Sequence, residues 1–306
     1  MDITKFINKY DIKVESFESI GKGLNRSAYL IICKDAKYVL KVHNKDGQFL
    51  TEILFNNYLA ENNFPVAKII KNLEKDLISQ DNSWLGALFE FRTGIEIDWD
   101  NLSINFADNL AETISNIHKN MLNNKSIPAE KSLGFYIRLT EKVTNDEIIR
   151  LAKTLSKEAK KVKTSDLRHC LIHGDLTREN VLSTENRDRV HSIIDFGDSH
   201  IDFIAWDLAV LITHIFITKT YGLDYNALKH FIRRYNSILP LTRDEKNILV
   251  TFMKIRNLNL SIEVNLMQKN STGKELAELQ SIESSVLRKI EIIDQNELQL
   301  LKLLNN

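Results

Sequence analysis

Two polar loops, each entered from a short apolar run, hold the residues best suited to chemistry. Residues 171–182 read LIHGDLTRENVL and residues 192–198 read SIIDFGD. In the first, His173-Gly174-Asp175 stands five residues ahead of Asn180; in the second, Ile193-Ile194 delivers Asp195 to a Phe196-Gly197 turn. One amide and two carboxylates are thus expected at neighbouring loop ends. Such a set suits phosphoryl transfer, whose loose transition state needs cationic charge neutralisation and a group that orients the attacking hydroxyl. Turn chemistry is the bland alternative, because Asp and Asn favour loops in any case. A metallohydrolase using His173, Asp175, His191 and Asp195 is another, but no third well-spaced His and no HExxH pair supports it.

The order of an Asp, an Asn five residues later and then Asp-Phe-Gly is that of kinase catalytic and metal loops. HGDLTREN with IIDFGD resembles the aminoglycoside phosphotransferase and choline kinase superfamily, small-molecule relatives of protein kinases with HGD in place of HRD. The resemblance runs from about Ile20 to at least Thr213. Residues 20–26 (IGKGLNR) resemble an abbreviated nucleotide loop, residues 39–42 (VLKV) a lysine-bearing strand, and residues 63–66 (NFPV) the exit from the helix that carries Glu52. Asp207-Leu208-Ala209 resembles the DLA element after the metal loop. The chain departs from the pattern at Phe203-Ile204, where an Asp-Pro pair is often found, and it has no full GxGxxG.

The resemblance implies a bilobal, protein-kinase-like fold of the α+β class and suggests a role for each matching residue. Asp175 would take or orient the proton of a substrate hydroxyl, and Asn180 and Asp195 would hold Mg2+ on the phosphates of ATP, with GTP as the alternative nucleotide. Lys41 would contact the α- and β-phosphates, with Glu52 as its counter-charge. Gly21, Gly23 and Asn25 would belong to the nucleotide loop, and Glu90 and Phe91 to an interlobe hinge that meets adenine through main chain. His173 is expected to be a structural hydrogen-bonder and Asp207 a buried loop anchor. The acceptor implied is a hydroxyl of a small amine-bearing molecule of the aminoglycoside, choline, homoserine or hydroxylysine type. Asp198, Asp202 and Glu263 are acceptor-site candidates by position alone. Tyr235 to Leu241 followed by Thr242, Glu245 and Arg256 is closer to the homoserine and hydroxylysine layout than to the antibiotic-resistance one. A pseudokinase or nucleotide-binding regulatory module is the alternative class; retention of Lys41, Asp175, Asn180 and Asp195 favours turnover.

The elements that must position these residues follow from pattern. Short β-branched and aromatic runs at 27–32 and 38–42, joined by a turn, predict a hairpin. Leu50, Ile53, Leu54 and Tyr58 recur at helical spacing before Pro65, and residues 84–89 form a continuous apolar strand. Beyond Gly94 the pattern turns helical: one stripe runs from Phe106 to Met121 and a longer one from Leu276 to Ile293, and Thr242 with Glu245 reads as a capping box. Residues 201–218 are apolar enough to be a buried helix, but Asp202, Asp207 and His214 make membrane insertion costly. A strand-rich N-lobe (1–90) is thus expected before a helical C-lobe (91–306), with a cleft between them.

Composition narrows the partners. Lys+Arg and Asp+Glu are 41 each, so no global field gathers nucleic acid or an anionic membrane, and phosphate affinity must be local. Two cysteines, Cys33 and Cys170, cannot form a disulfide framework or a structural zinc site and are expected as small buried hydrophobes in a reducing, cytoplasmic setting. The N-terminus lacks an uninterrupted apolar h-region. A monomer or homodimer is expected, and His118 lies on the polar border of its stripe.

Overall fold

Residues 14–44 form three antiparallel strands, β1 (Val14–Lys22), β2 (Arg26–Cys33) and β3 (Lys37–Asn44), ahead of which lies a single helical turn, α1 (Thr4–Ile7). The computed structural model describes residues 2–22, 26–44, 47–97, 100–132, 134, 136–138, 140–161, 164–220 and 222–305. Gly23 and Asn25 of the expected nucleotide loop lie outside the described residues. Helix α2 (Gly47–Glu61) follows, and then β4 (Ile69–Ile70), β5 (Ser79–Asp81) and β6 (Trp84–Glu90) complete one sheet of order β1-β2-β3-β6-β4, with β5 also on β6.

The pleat sends alternate side chains to opposite faces of this sheet. Leu40, Val42 and Leu88 bury against Phe6, Ile7 and Tyr10 on the outer face. Gly86 is required there, since a Cβ on it would sit 2.5 Å from the Phe6 ring. Val39, Ala87 and Phe89 face the other way and pack on Phe49 and Ile53 of α2. Lys41 shares that inner face, its ammonium 5.7 Å from the Phe89 ring centroid.

After β7 (Ile95–Glu96) the chain is mainly helical, through α3 (Ile104–Asn123) and α4 (Asp146–Ala159). Four short strands then intervene: β8 (His169–Ile172), β9 (Val181–Ser183), β10 (Val190–Ile193) and β11 (His200–Phe203). They pair as two small antiparallel sheets, β10-β9-β7 and β11-β8. The chain finishes with α5 (Ile204–Ile215), α6 (Tyr225–Ile238), α7 (Arg243–Gln268), α8 (Gly273–Gln295) and α9 (Glu297–Asn305). One apolar core gathers Leu110 and Ile114 of α3, Leu208 and Leu211 of α5, Phe252 and Ile255 of α7, and Ile290 of α8. Together these regions make an α+β fold, a β-sheet region followed by a helical one.

The predicted capping box exists: Thr242 accepts from the Glu245 amide, Glu245 accepts from the Thr242 amide, and α7 begins there. Glu245 also binds the Arg168 guanidinium at 2.6 Å, which ties the approach to β8 to the start of α7. Residues 201–203, expected as helix, are instead extended, because pairing with residues 169–171 satisfies their backbone before α5 starts at Ile204. Cys170 is buried and Cys33 half-buried, both as thiols. Among the described residues no helix is long and apolar enough to cross a membrane.

Candidate active site

The two loops singled out above meet at one end of the antiparallel pair β9 and β10, the first entering β9 and the second leaving β10. The loop after β8 carries residues 173–180 into β9, and the loop after β10 carries Ile194 and Asp195. The Ile194 amide donates to the Asn180 carbonyl at 2.9 Å, which stitches one loop to the other. Gly174 is demanded by its backbone: its φ is +83°, and a Cβ there would lie 2.4 Å from the Asp198 carbonyl oxygen. Asp195 also has a positive φ, 61°, at the turn into Phe196. Aspartate tolerates that region better than most residues, and a strained backbone at a polar loop commonly marks function.

Both loops are held from below. Asp207, buried on α5, accepts from the amides of His173 (3.3 Å) and Gly174 (2.9 Å) and from His118 Nε2 on α3 (3.0 Å). His118 Nδ1 lies 2.8 Å from the Tyr235 hydroxyl of α6. Burial alone would raise the Asp207 carboxyl, but these donors and the neighbouring imidazoles hold it below the ordinary carboxylate range. His173 contacts the Ile194 carbonyl through Nε2 at 3.0 Å, and its ring lies against Phe196, which in turn meets Phe55 of α2 edge-on. Buried Arg178 donates to the carbonyls of His214 (2.8 Å) and Ile215, fastening the loop to the negative end of the α5 dipole.

Three ion pairs face the cleft between sheet and helices. Lys41 Nζ is 2.5 Å from Glu52 Oε1 and 2.7 Å from Asp195 Oδ1, so β3, α2 and the second loop converge on one ammonium. Burial works against its charge, yet the two carboxylates outweigh it and raise the lysine above its ordinary range. Asp195 is lowered in return: burial opposes ionisation, and Lys41 prevails. Asp175, farther along the cleft, receives the Asn180 side-chain amide on Oδ2 at 3.0 Å and Arg256 Nη2 of α7 on Oδ1 at 3.1 Å. Burial lifts its carboxyl above the ordinary range, and Asp198 adds to this, while Arg256 and His173 pull the other way.

Asn180 commits its NH2 group to Asp175, which leaves its carbonyl oxygen as the atom able to meet a cation, and Asp195 supplies a half-exposed carboxylate. Two hard oxygen donors suit a magnesium ion, which completes its shell with water and phosphate oxygens rather than an all-protein cage. The metallohydrolase set does not form: among the described residues no three His, Cys, Asp or Glu side chains cluster as metal ligands, and His191 sits on β10.

A cavity of about 440 Å³ opens beside Asp175. Asp198, Glu263 and Arg256 line it, with Glu130 and Arg138 from the segment linking α3 to α4. Asp202 corrects the expectation made for it: it is fully buried, and its carboxylate accepts from the Gly134 amide (2.6 Å) and the Phe203 amide (2.7 Å). It holds the linking segment in place and has no face toward the cavity. Gly21 lies on β1, with only the Ala28 Cβ near its own Cβ position. The Glu90 and Phe91 amides at the expected hinge donate to the Lys68 and Lys37 carbonyls, so adenine contacts at these two residues would fall to other main-chain atoms. Arg178 was given no role in the sequence reading, and Arg256 entered it only as part of a layout, without a contact assigned to it. The signal for Arg256 was a charged residue at the centre of an otherwise buried helical stretch, residues 252–258.

The profile of the phosphotransferase enzyme family matches residues 16–237, most of the chain and every loop just described. The chain belongs to this family. It is a small-molecule kinase of the aminoglycoside phosphotransferase superfamily. The mouse (Mus musculus) hydroxylysine kinase is 29% identical over 134 residues, 42% of this chain and 34% of that protein. The homoserine kinase of Methylobacillus flagellatus is 23% identical over 248 residues, 79% of this chain and 76% of that protein. Among solved structures, an amicoumacin kinase in complex with AMP-PNP, Ca2+ and Ami superposes with a TM-score of 0.74 at 14% identity, covering 96% of this chain and 92% of that one. The likeness extends to the whole bilobal, protein-kinase-like fold, and family membership brings ATP and a divalent cation with it.

Proposed function

We propose that this kinase moves the γ-phosphoryl group of ATP to a hydroxyl of a small, amine-bearing acceptor of the homoserine or hydroxylysine kind. The observation that carries the reading is the convergence of Lys41, Glu52 and Asp195 on one side of the cleft and of Asp175 and Asn180 on the other. Residues 1–90 form the nucleotide lobe and residues 91–306 the acceptor lobe. Lys41, oriented by Glu52, steadies the nucleotide phosphates, and Asn180 and Asp195 are the ligands for Mg2+. When bound, the cation neutralises charge on the transferred group.

Asp175 orients the acceptor hydroxyl and takes its proton as the new P–O bond forms and the bond to the ADP oxygen breaks. Its raised pKa suits that task, because a carboxylate of higher basicity accepts the proton more readily. Asp198 and Glu263, acids on the cavity wall, suit an ammonium group on the acceptor. The four retained polar residues speak against a binding-only module, for which Asp175 would have no use.

Asp175→Ala tests the reading. It is expected to lower kcat about 10³-fold or more while nucleotide binding stays near the wild-type value. Acceptor-dependent ADP release checks the first and a thermal-shift titration with Mg-ATP the second. Equal rates in variant and wild type would remove Asp175 from the chemistry.

A further inference from the structure

The cavity beside Asp175 is polarised by a residue that lies outside the catalytic and metal loops. Arg256 enters from α7, lines the cavity, and spends one N–H on Asp175 Oδ1 at 3.1 Å. Its remaining N–H groups make no other hydrogen bond among the described residues, although its side chain is only 20% exposed. A guanidinium presents five donors in a planar fork that matches a carboxylate, so one bound N–H leaves several available. The groups behind it do not compete for those donors. Lys289 of α8 is buried, makes no ion pair among the described residues and has its ammonium lowered to about 8 by burial, Arg178 and Arg256. His214 of α5 is buried, its Nε2 has no partner among the described residues, and burial together with the positive charges of Lys289, Arg256 and Arg178 depresses its pKa. Arg256 thus has the Lys289 ammonium and the His214 imidazole near it, and it lines the cavity.

Two of the carboxylates on the cavity wall are already paired. Glu263 pairs with Arg138 at 3.3 Å, and Asp175 accepts the single Arg256 bond already counted. An acceptor whose hydroxyl reaches Asp175 thus brings its neighbouring atoms against the unused edge of the fork. We propose that Arg256 is a specificity residue that reads a carboxylate on the acceptor a few bonds from the hydroxyl to be phosphorylated. The preferred acceptor is then a hydroxy acid bearing an amine, its ammonium toward Asp198 and Glu263, and not the amino alcohol lacking the carboxylate. The inference rests on the phosphotransferase reading of the same cavity and goes beyond it by assigning a residue and a required functional group.

The test compares matched acceptors that differ by the carboxylate alone: homoserine against 3-aminopropan-1-ol, and serine against ethanolamine. Sites built to bond a polar group reject analogues lacking it by large factors, so wild-type kcat/KM should favour the hydroxy acid of at least one pair by 100-fold or more. Arg256→Gln should lose about that factor for the acid and less than tenfold for the alcohol, so that the ratio collapses. Arg256→Lys, which keeps charge without the fork, should fall between. Equal losses on both members of a pair would make Arg256 a positioning residue for Asp175 only and would overturn the proposal. A wild-type preference for the alcohols, or turnover of aminoglycosides with neither member of any pair, would also overturn it while leaving the kinase reading intact. The wild-type ratio needs no variant, so a misfolded Arg256→Gln protein would not rescue the idea. ADP release with no hydroxyl acceptor of any class would defeat the phosphotransferase reading and this inference together.

Discussion

The two sides of the cleft are built differently. On the side proposed to hold the nucleotide, Lys41, Glu52 and Asp195 form a tight charged knot in which each member has a fixed partner. On the side proposed for the acceptor, Arg256 has one bond, Glu263 and Arg138 form an exposed pair, and the wall comes from segments far apart in the chain. A side that must bind the same phosphates in every turnover gains from pre-organisation. A side that selects among acceptors needs unspent donors and acceptors, because specificity is a difference between occupants.

That contrast can be broken by experiment, beginning with the residue that serves both sides. Asp207→Ala would strip the His173 and Gly174 amides and the His118 ring of their buried partner. A loss of about 3–5 kcal/mol is expected, read as a shift of the urea midpoint, together with lower activity on all acceptors. A change below about 1 kcal/mol would show that the loops do not depend on this anchor.

Lys41→Met removes the centre of the nucleotide knot. It should lower kcat/KM about 10²- to 10³-fold for every acceptor, with acceptor ratios unchanged. If the ratios move, the two sides are not separable.

Lys289→Met probes the cation behind Arg256. The folded-state pKa, about 8, lies below the ordinary lysine value of 10.5, so below pH 8 the native state carries the cost of a buried charge. Between pH 8 and 10.5 the native state has released a proton that the unfolded chain still holds, and the cost fades as pH rises. The substitution should thus stabilise the protein by about 2–3 kcal/mol at pH 7 and by progressively less toward pH 10.5, measured by denaturant titration across that range. A gain independent of pH would mean the lysine is not the titrating group.

The smallest effect is expected at Glu263, a half-exposed residue on the cavity rim. Glu263→Gln should cost less than tenfold in kcat/KM, confined to acceptors with an ammonium group and weakened further by salt. A loss shared by uncharged alcohols would place Glu263 elsewhere in the mechanism.

Legibility in the sequence divides along the same line. Asp175, Asn180 and Asp195 lie within 21 positions, on two loops that adjacent strands bring together, so local pattern was enough to group them. Lys41 could be assigned to a face because Leu40 and Val42 bury on the other one. Asp198 and Asp202, four residues apart, looked equivalent as acids near the acceptor. They are not, because residue 202 lies in a strand whose partner turns its carboxylate inward, onto the amides of Gly134 and Phe203. At the expected hinge, neighbouring carbonyls have claimed the amides of Glu90 and Phe91, a detail that no local pattern displays.

By itself the chain's sequence determined the class of fold, its strand-rich start and helical continuation, and the motif residues, since periodicity, capping and short spacings are local properties. Tertiary structure alone decided which charges meet: Arg256 reaches Asp175 across 81 positions, and Lys41 reaches Asp195 across 154. Electrostatic partnership depends on distance and burial in the packed molecule, and neither is written in the spacing of residues along the chain.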